Sequence, residues 1–118
     1  MSDDALFWAI LDQLAASEIV VDRPRSSQHP RMAGMVYPLD YGYLAGTTAG
    51  DGDGIDVWIG SLPGRGVTAV ACTADLHKRD VEIKLLLGCT AEEMAAVQGF
   101  LNSHGLGCSL ISRPARYS

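Results

Sequence analysis

Apolar residues recur at three- and four-residue intervals near the start of the chain, where Leu6, Phe7, Ile10, Leu11 and Leu14 share one face of a helix expected over residues 4–17. Ser2, Asp3 and Asp4 precede that stripe as candidate caps and place negative charge at the positive end of the helix dipole. The pattern then changes. Ile19 to Asp22 is β-branched and runs into Arg23-Pro24, so a short strand should open onto a polar loop ending at Pro30. From Met35 onward, glycines and prolines punctuate short apolar runs, which predicts strands over Ile55–Ile59, Val67–Thr73 and Val81–Leu87. Thr90 followed by Glu93 is a capping box that opens a second helix, with Met94, Val97, Phe100 and Leu101 inward and a stop near Gly105. A last strand, Cys108–Ser112, should close the sheet. The expected architecture is α+β, mainly β, a small barrel-like sheet with N-terminal and C-terminal flanking helices, as one domain over residues 1–118.

Composition narrows the partners. A chain of 118 residues, 47% apolar, supports one core, and a net charge of −5 disfavours nucleic acid and anionic membranes, which need a basic footprint. No run reaches the roughly 20 apolar residues of a bilayer span, and Met-Ser-Asp-Asp lacks the basic start of a secretory signal, so a cytoplasmic protein is expected. Cys72, Cys89 and Cys108 are far apart without metal-ligand spacing and read as reduced core residues.

The acidic excess is concentrated. Asp51-Gly52-Asp53-Gly54-Ile55-Asp56 puts three carboxylates within six residues, a crowding that a bound divalent cation relieves by favouring the ionised form of each ligand. Oxygen donors of this kind suit magnesium, manganese or calcium rather than zinc. A solvated acidic turn would have the same composition. An EF-hand loop does not fit, because counting from Asp51 puts Leu62 where a bidentate glutamate is required. Strand alternation places Asp56 with Trp58, opposite Ile55, Val57 and Ile59. Downstream, Asp75 and Asp80 flank a hairpin loop, and Asp80, Glu82 and Lys84 share one strand face.

Two motifs together carry a resemblance. Tyr37-Pro38-Leu39-Asp40-Tyr41-Gly42-Tyr43 followed by Asp51-Gly52-Asp53-Gly54-Ile55-Asp56-Val57 resembles, in residues and interval, the Tyr-Pro-x-Asn-Tyr-Gly-Tyr/Phe and Asp-x-Asp-Pro-x-Asp-Val segments of the family I inorganic pyrophosphatases. Asp75 and Asp80 match that family's second aspartate pair, and Asp22 stands near its first acidic position. The resemblance implies a five-stranded, OB-like barrel with a helix alongside. It implies magnesium, with manganese as a substitute, at Asp51, Asp56, Asp75 and Asp80, and Asp53 as the group that helps activate water. It further implies substrate contacts from Tyr37 and Tyr41, and Arg25 or Arg31 together with Lys84 are the candidates to replace the family's basic substrate-binding residues.

The implied function is hydrolysis of inorganic pyrophosphate, or a related small phosphoanhydride, by two-metal activation of water. The alternative is a weakened relative that binds metal or a phosphorylated ligand for regulation or interaction. The partner is then a small phosphorylated molecule, not nucleic acid or membrane, and a homo-oligomer is compatible with the resemblance. Departures concern the phosphate-binding groups. Glu82 stands where the family has a lysine, with Lys84 the nearest replacement, Asp40 replaces an asparagine, and Ser103-His104-Gly105-Leu106 occupies the region of a tyrosine-lysine pair.

Overall fold

The computed structural model describes residues 4–64 and 66–117. Ser2 and Asp3, candidate caps of the first helix, lie outside them. The described residues form α1 (Ala5–Ala15), β1 (Ile19–Arg23), β2 (Asp40–Leu44), β3 (Asp56–Ile59), β4 (Val67–Asp75), β5 (Asp80–Leu87), α2 (Ala91–Ser103) and β6 (Gly107–Ser112), then a short 3-10 turn at Ala115–Tyr117. The strands make one sheet in the order β1-β2-β3-β5-β4-β6, antiparallel except where β3 runs parallel to β5.

Two expectations are corrected here. The sheet has six strands rather than five, the additional one being β2, and its order is open, with β1 and β6 at the two ends and no pairing between them among the described residues. β2 is the Asp-Tyr-Gly-Tyr-Leu stretch of the tyrosine motif, whose β character comes from aromatic cross-strand contacts more than from a β-branched run. Gly42 lies at its centre for a steric reason: a Cβ there would run into the carbonyl oxygen of Val20 on β1.

Each face of the sheet carries its own core. On one, Leu44, Val57, Val70, Leu85 and Leu87 pack against Trp8, Leu11 and Ala15 of α1. On the other, Trp58, Ala69, Ala71 and Leu86 pack with Tyr37 and Leu39 against Val97 and Leu101 of α2. The second helix is therefore as expected, with both halves of the Thr90–Glu93 capping box formed. The first is rotated from its expected orientation. Trp8 turns inward and is fully buried, while Leu6, Phe7 and Ile10 stay exposed. Turned inward, the indole adds a large apolar area to the core on that face of the sheet.

Cys72, Cys89 and Cys108 are free thiols, and burial pushes Cys89 up to about 12, which keeps it protonated at neutral pH. Among the described residues no helix is long and apolar enough to cross a membrane.

A polar clasp ties α1 to the sheet. Arg113 Nη1 donates to Asp12 Oδ1 at 2.8 Å, the same oxygen accepts the Val67 amide at 3.2 Å, and the guanidinium stacks over Trp8 at 5.6 Å. The Arg113 hydrogen bond holds the Asp12 carboxyl below its usual range, against the opposing effect of burial. A depressed folded-state pKa contributes stability above the unfolded value and loses it as pH falls through the folded one. Because the Asp12 side chain is 40% exposed, the contribution is discounted for solvent screening. Asp12→Asn should cost about 1 kcal/mol at pH 7 and almost nothing at a pH below the depressed folded-state value, in urea unfolding at both pH values. An equal cost at both would show that charge is not what binds the clasp.

Candidate functional site

The site is assembled by the one parallel pairing in the sheet. Val57 lies opposite Leu85 and Trp58 opposite Leu86, so the start of β3 meets the polar first half of β5. The antiparallel partner β2 adds Tyr41 opposite Trp58 and Tyr43 opposite Asp56. Side-chain alternation then turns Tyr41, Asp56 and Lys84 toward the α2 face. Lys84 Nζ donates to Asp56 Oδ2 at 2.9 Å, to Glu82 Oε2 at 3.3 Å and to the Tyr41 hydroxyl at 3.0 Å. The Lys84 side chain is 8% exposed, a depth at which a lysine persists only with charged partners.

Electrostatics keeps this group ionised. Burial alone would lower the Lys84 pKa, but Tyr41 and Asp56 outweigh it and the pKa is raised above the ordinary lysine value. Burial raises the Tyr41 hydroxyl, so it stays neutral well beyond physiological pH. At neutral pH the charge facing the ammonium is therefore that of Asp56, joined by Glu82. Tyr41 in turn packs on Trp58, ring centroids 4.6 Å apart, and on Tyr37, at 5.9 Å.

Two cavities flank this network. The first, of about 470 Å³, is lined by Asp51, Asp56, Asp80 and Glu82 together with apolar Leu11 and Ile83. The second, of about 490 Å³, is lined by Asp75, Asp80, Glu82 and Lys84 and by all three histidines of the chain, His29, His77 and His104. Asp80 and Glu82 line both. Among the described residues no hydrogen-bond or ion-pair partner meets the Asp80 carboxylate, whereas Asp51 Oδ1 accepts the Asp53 amide at 3.0 Å.

The expected site residues are therefore brought together unequally. Asp51, Asp56 and Asp80 line one cavity, and Tyr41 and Lys84 touch Asp56 or each other. Asp75 sits opposite Asp80 in register, but its Oδ1 caps the hairpin loop by accepting the His77 and Lys78 amides at 2.9 and 3.2 Å. Asp53 is exposed and lines neither cavity, and Arg31 is likewise exposed, its amide donating to His29 Nδ1 at 3.1 Å. Tyr37 is 7% exposed, inside the aromatic core with Trp58 and Phe100. Asp40 accepts the Arg25 amide at 2.7 Å and so anchors the loop after β1. Where the resembled motif has proline, Gly54 leaves room for Tyr43, since a Cβ would lie 2.8 Å from Cδ2 of that ring.

Glu82, His29 and His104 also border the second cavity, beyond the expected set of site residues. The alternation along β5 already put Glu82 beside Lys84, and His104 lay in the region of the missing tyrosine-lysine pair. The convergence of His29 on the same cavity had no local signal.

In donor chemistry the carboxylates suit a hard divalent ion; three of the four expected ligands, Asp51, Asp56 and Asp80, border the first cavity, and the fourth, Asp75, borders the second, which Asp80 shares. Among the described residues, no three acidic, histidine or cysteine side chains yet converge on a single point.

No protein-family model matches the chain, and no curated protein matches it in sequence. Among solved structures, the fold is similar to a crystal structure of an inorganic phosphatase from Anaplasma phagocytophilum, with a TM-score of 0.50 and 19% identity over 80% of this chain and 81% of that one. At that identity the likeness is one of fold.

The buried ion pair yields an asymmetric expectation. Asp56→Ala leaves the deeply placed ammonium with Glu82 as its one charged hydrogen-bond partner among the described residues and should cost about 2 kcal/mol, less than for a fully enclosed pair because the Asp56 side chain is 30% exposed. Lys84→Met frees carboxylates that water already reaches, and should cost no more than about 1 kcal/mol. Chemical denaturation of both variants measures the difference, and the reverse order would contradict the assignment.

Proposed function

We propose that the chain hydrolyses inorganic pyrophosphate or a related small phosphoanhydride in a magnesium-dependent reaction. The observation that carries this reading is the shared cavity of Asp51 and Asp56 from the acidic turn and Asp80 from a later strand, residues whose types and intervals resemble those of the pyrophosphatase motifs. The fold likeness to an inorganic phosphatase supports it.

Bound magnesium, or manganese in its place, supplies Lewis acidity toward phosphate oxygens and a more acidic water. The chain's residues do the rest. Asp51, Asp56 and Asp80 are the proposed metal ligands, with Asp75 joining from the second cavity through its remaining oxygen. Tyr41, held protonated by burial, is a donor for a phosphate oxygen. Asp53, exposed two positions along the turn from Asp51, is the proposed proton acceptor for the attacking water. The apolar side of the first cavity, with Leu11 and Ile83, limits water around the reacting groups.

A second reading is favoured by one observation, the engagement of the Lys84 ammonium with Asp56, Glu82 and Tyr41. On that reading the chain binds metal or a phosphorylated ligand without efficient turnover, in a regulatory or interaction role. Phosphate release from pyrophosphate, measured with and without magnesium, separates the two. The hydrolase predicts metal-dependent release that falls by more than about a hundredfold in Asp56→Asn and in Asp80→Asn. Unchanged turnover in both variants would refute the assigned roles. Tight calorimetric binding without release would favour the second reading.

A further inference from the structure

Lys84 sits where its charge has a specific consequence. Its ammonium has three hydrogen donors, and the three oxygens around it, from Asp56, Glu82 and Tyr41, use all of them. Two carboxylates and a hydroxyl closing on one buried positive charge form the kind of donor set that a hard metal ion also takes. The strand geometry enforces the arrangement, since Glu82 and Lys84 are two positions apart on β5 and Asp56 is presented by the parallel neighbour. Among the described residues Asp80 lacks such a partner, so the positive charge of the site is concentrated at Asp56.

We propose that Lys84 is a tethered cation that holds the Asp56–Glu82 position, so that a divalent ion binds Asp56 only by displacing the lysine ammonium. The inference rests on the metal-binding reading above and adds to it a built-in competitor. Displacement frees an ammonium that already lines the second cavity, beside His29 and His104. Metal entry and the appearance of a cation for a phosphate group are then one event. Lys84 is a positioning residue in this scheme, setting the divalent-ion concentration at which the site assembles.

The test is metal binding by the intact chain, read without any activity. Manganese titration, followed by calorimetry and by the paramagnetic signal of free ion, compares wild type with Lys84→Met, Lys84→Arg and Lys78→Met. Lys84→Met should bind manganese at least about tenfold more tightly, because two opposite charges a few ångströms apart need not be separated. Lys84→Arg keeps the charge and should bind as weakly as wild type. Lys78→Met removes a charge from the same cavity without removing a partner of Asp56, and should change affinity much less.

Equal tightening in Lys84→Met and Lys78→Met would reduce the effect to overall field and overturn the proposal, as would unchanged or weaker binding in Lys84→Met. Absence of manganese binding in every form would instead refute the metal reading itself. Should Lys84→Met fail to fold, the nitrogen resonance of the Lys84 ammonium in wild-type protein decides. It should shift and broaden on magnesium addition, and an unperturbed signal in magnesium-saturated protein would overturn the proposal.

Discussion

The parallel register of β3 against β5 is the constraint on which the rest of the molecule depends. It brings an aspartate from the end of an acidic turn against a lysine from a strand two elements later, inside a sheet whose two faces are already committed to apolar cores. A lysine at that depth persists because Asp56 and Glu82 compensate the loss of water, and the compensation works only in one register. Slipping β5 by one residue would turn Lys84 toward α1 and Leu85 toward α2, exchanging every buried contact at once.

That register also explains the shape of the candidate site. The apolar second half of β5 anchors both cores, while its first half carries acidic and exposed residues that two cavities share. Structure and chemistry are thus divided along a single strand. The aromatic stack of Tyr37, Tyr41 and Trp58 closes the α2 side beneath the polar network, and Gly42 lets β2 approach β1 closely enough to hold Tyr41 over Asp56. Rigid neighbours of this kind keep a charged cluster in place before any ligand arrives.

Much of this was legible in the sequence where the signal is local. The capping box at Thr90 and Glu93, the inward face of α2, and the alternation that separates Asp56 and Trp58 from Val57 all follow from short-range periodicity. The aspartate motif marked a stretch that borders the first cavity, and the tyrosine motif the one that packs on Trp58 and meets Lys84. What escaped was non-local. The strand over Asp40–Leu44 is polar and glycine-centred, so its pairing and not its composition makes it β. The inward turn of Trp8 depended on which of two overlapping apolar stripes met the sheet. The lysine shift from position 82 to 84 looked like a misplaced phosphate ligand, but the crossover that places β5 beside β3 makes Lys84 an ion-pair partner of Asp56. No local pattern reports the meeting of His29, His77 and His104 around one cavity, because three separate loops and helix ends supply them.

The central claim is that carboxylates from the acidic turn and from β5 serve one cation-dependent phosphate site. Anomalous diffraction from crystals soaked in manganese and a non-hydrolysable pyrophosphate analogue tests it most directly. The account predicts manganese within bonding distance of Asp56 and Asp80 oxygens, with analogue density reaching Tyr41. Manganese confined to surface positions remote from both aspartates, with no analogue in either cavity, would contradict it.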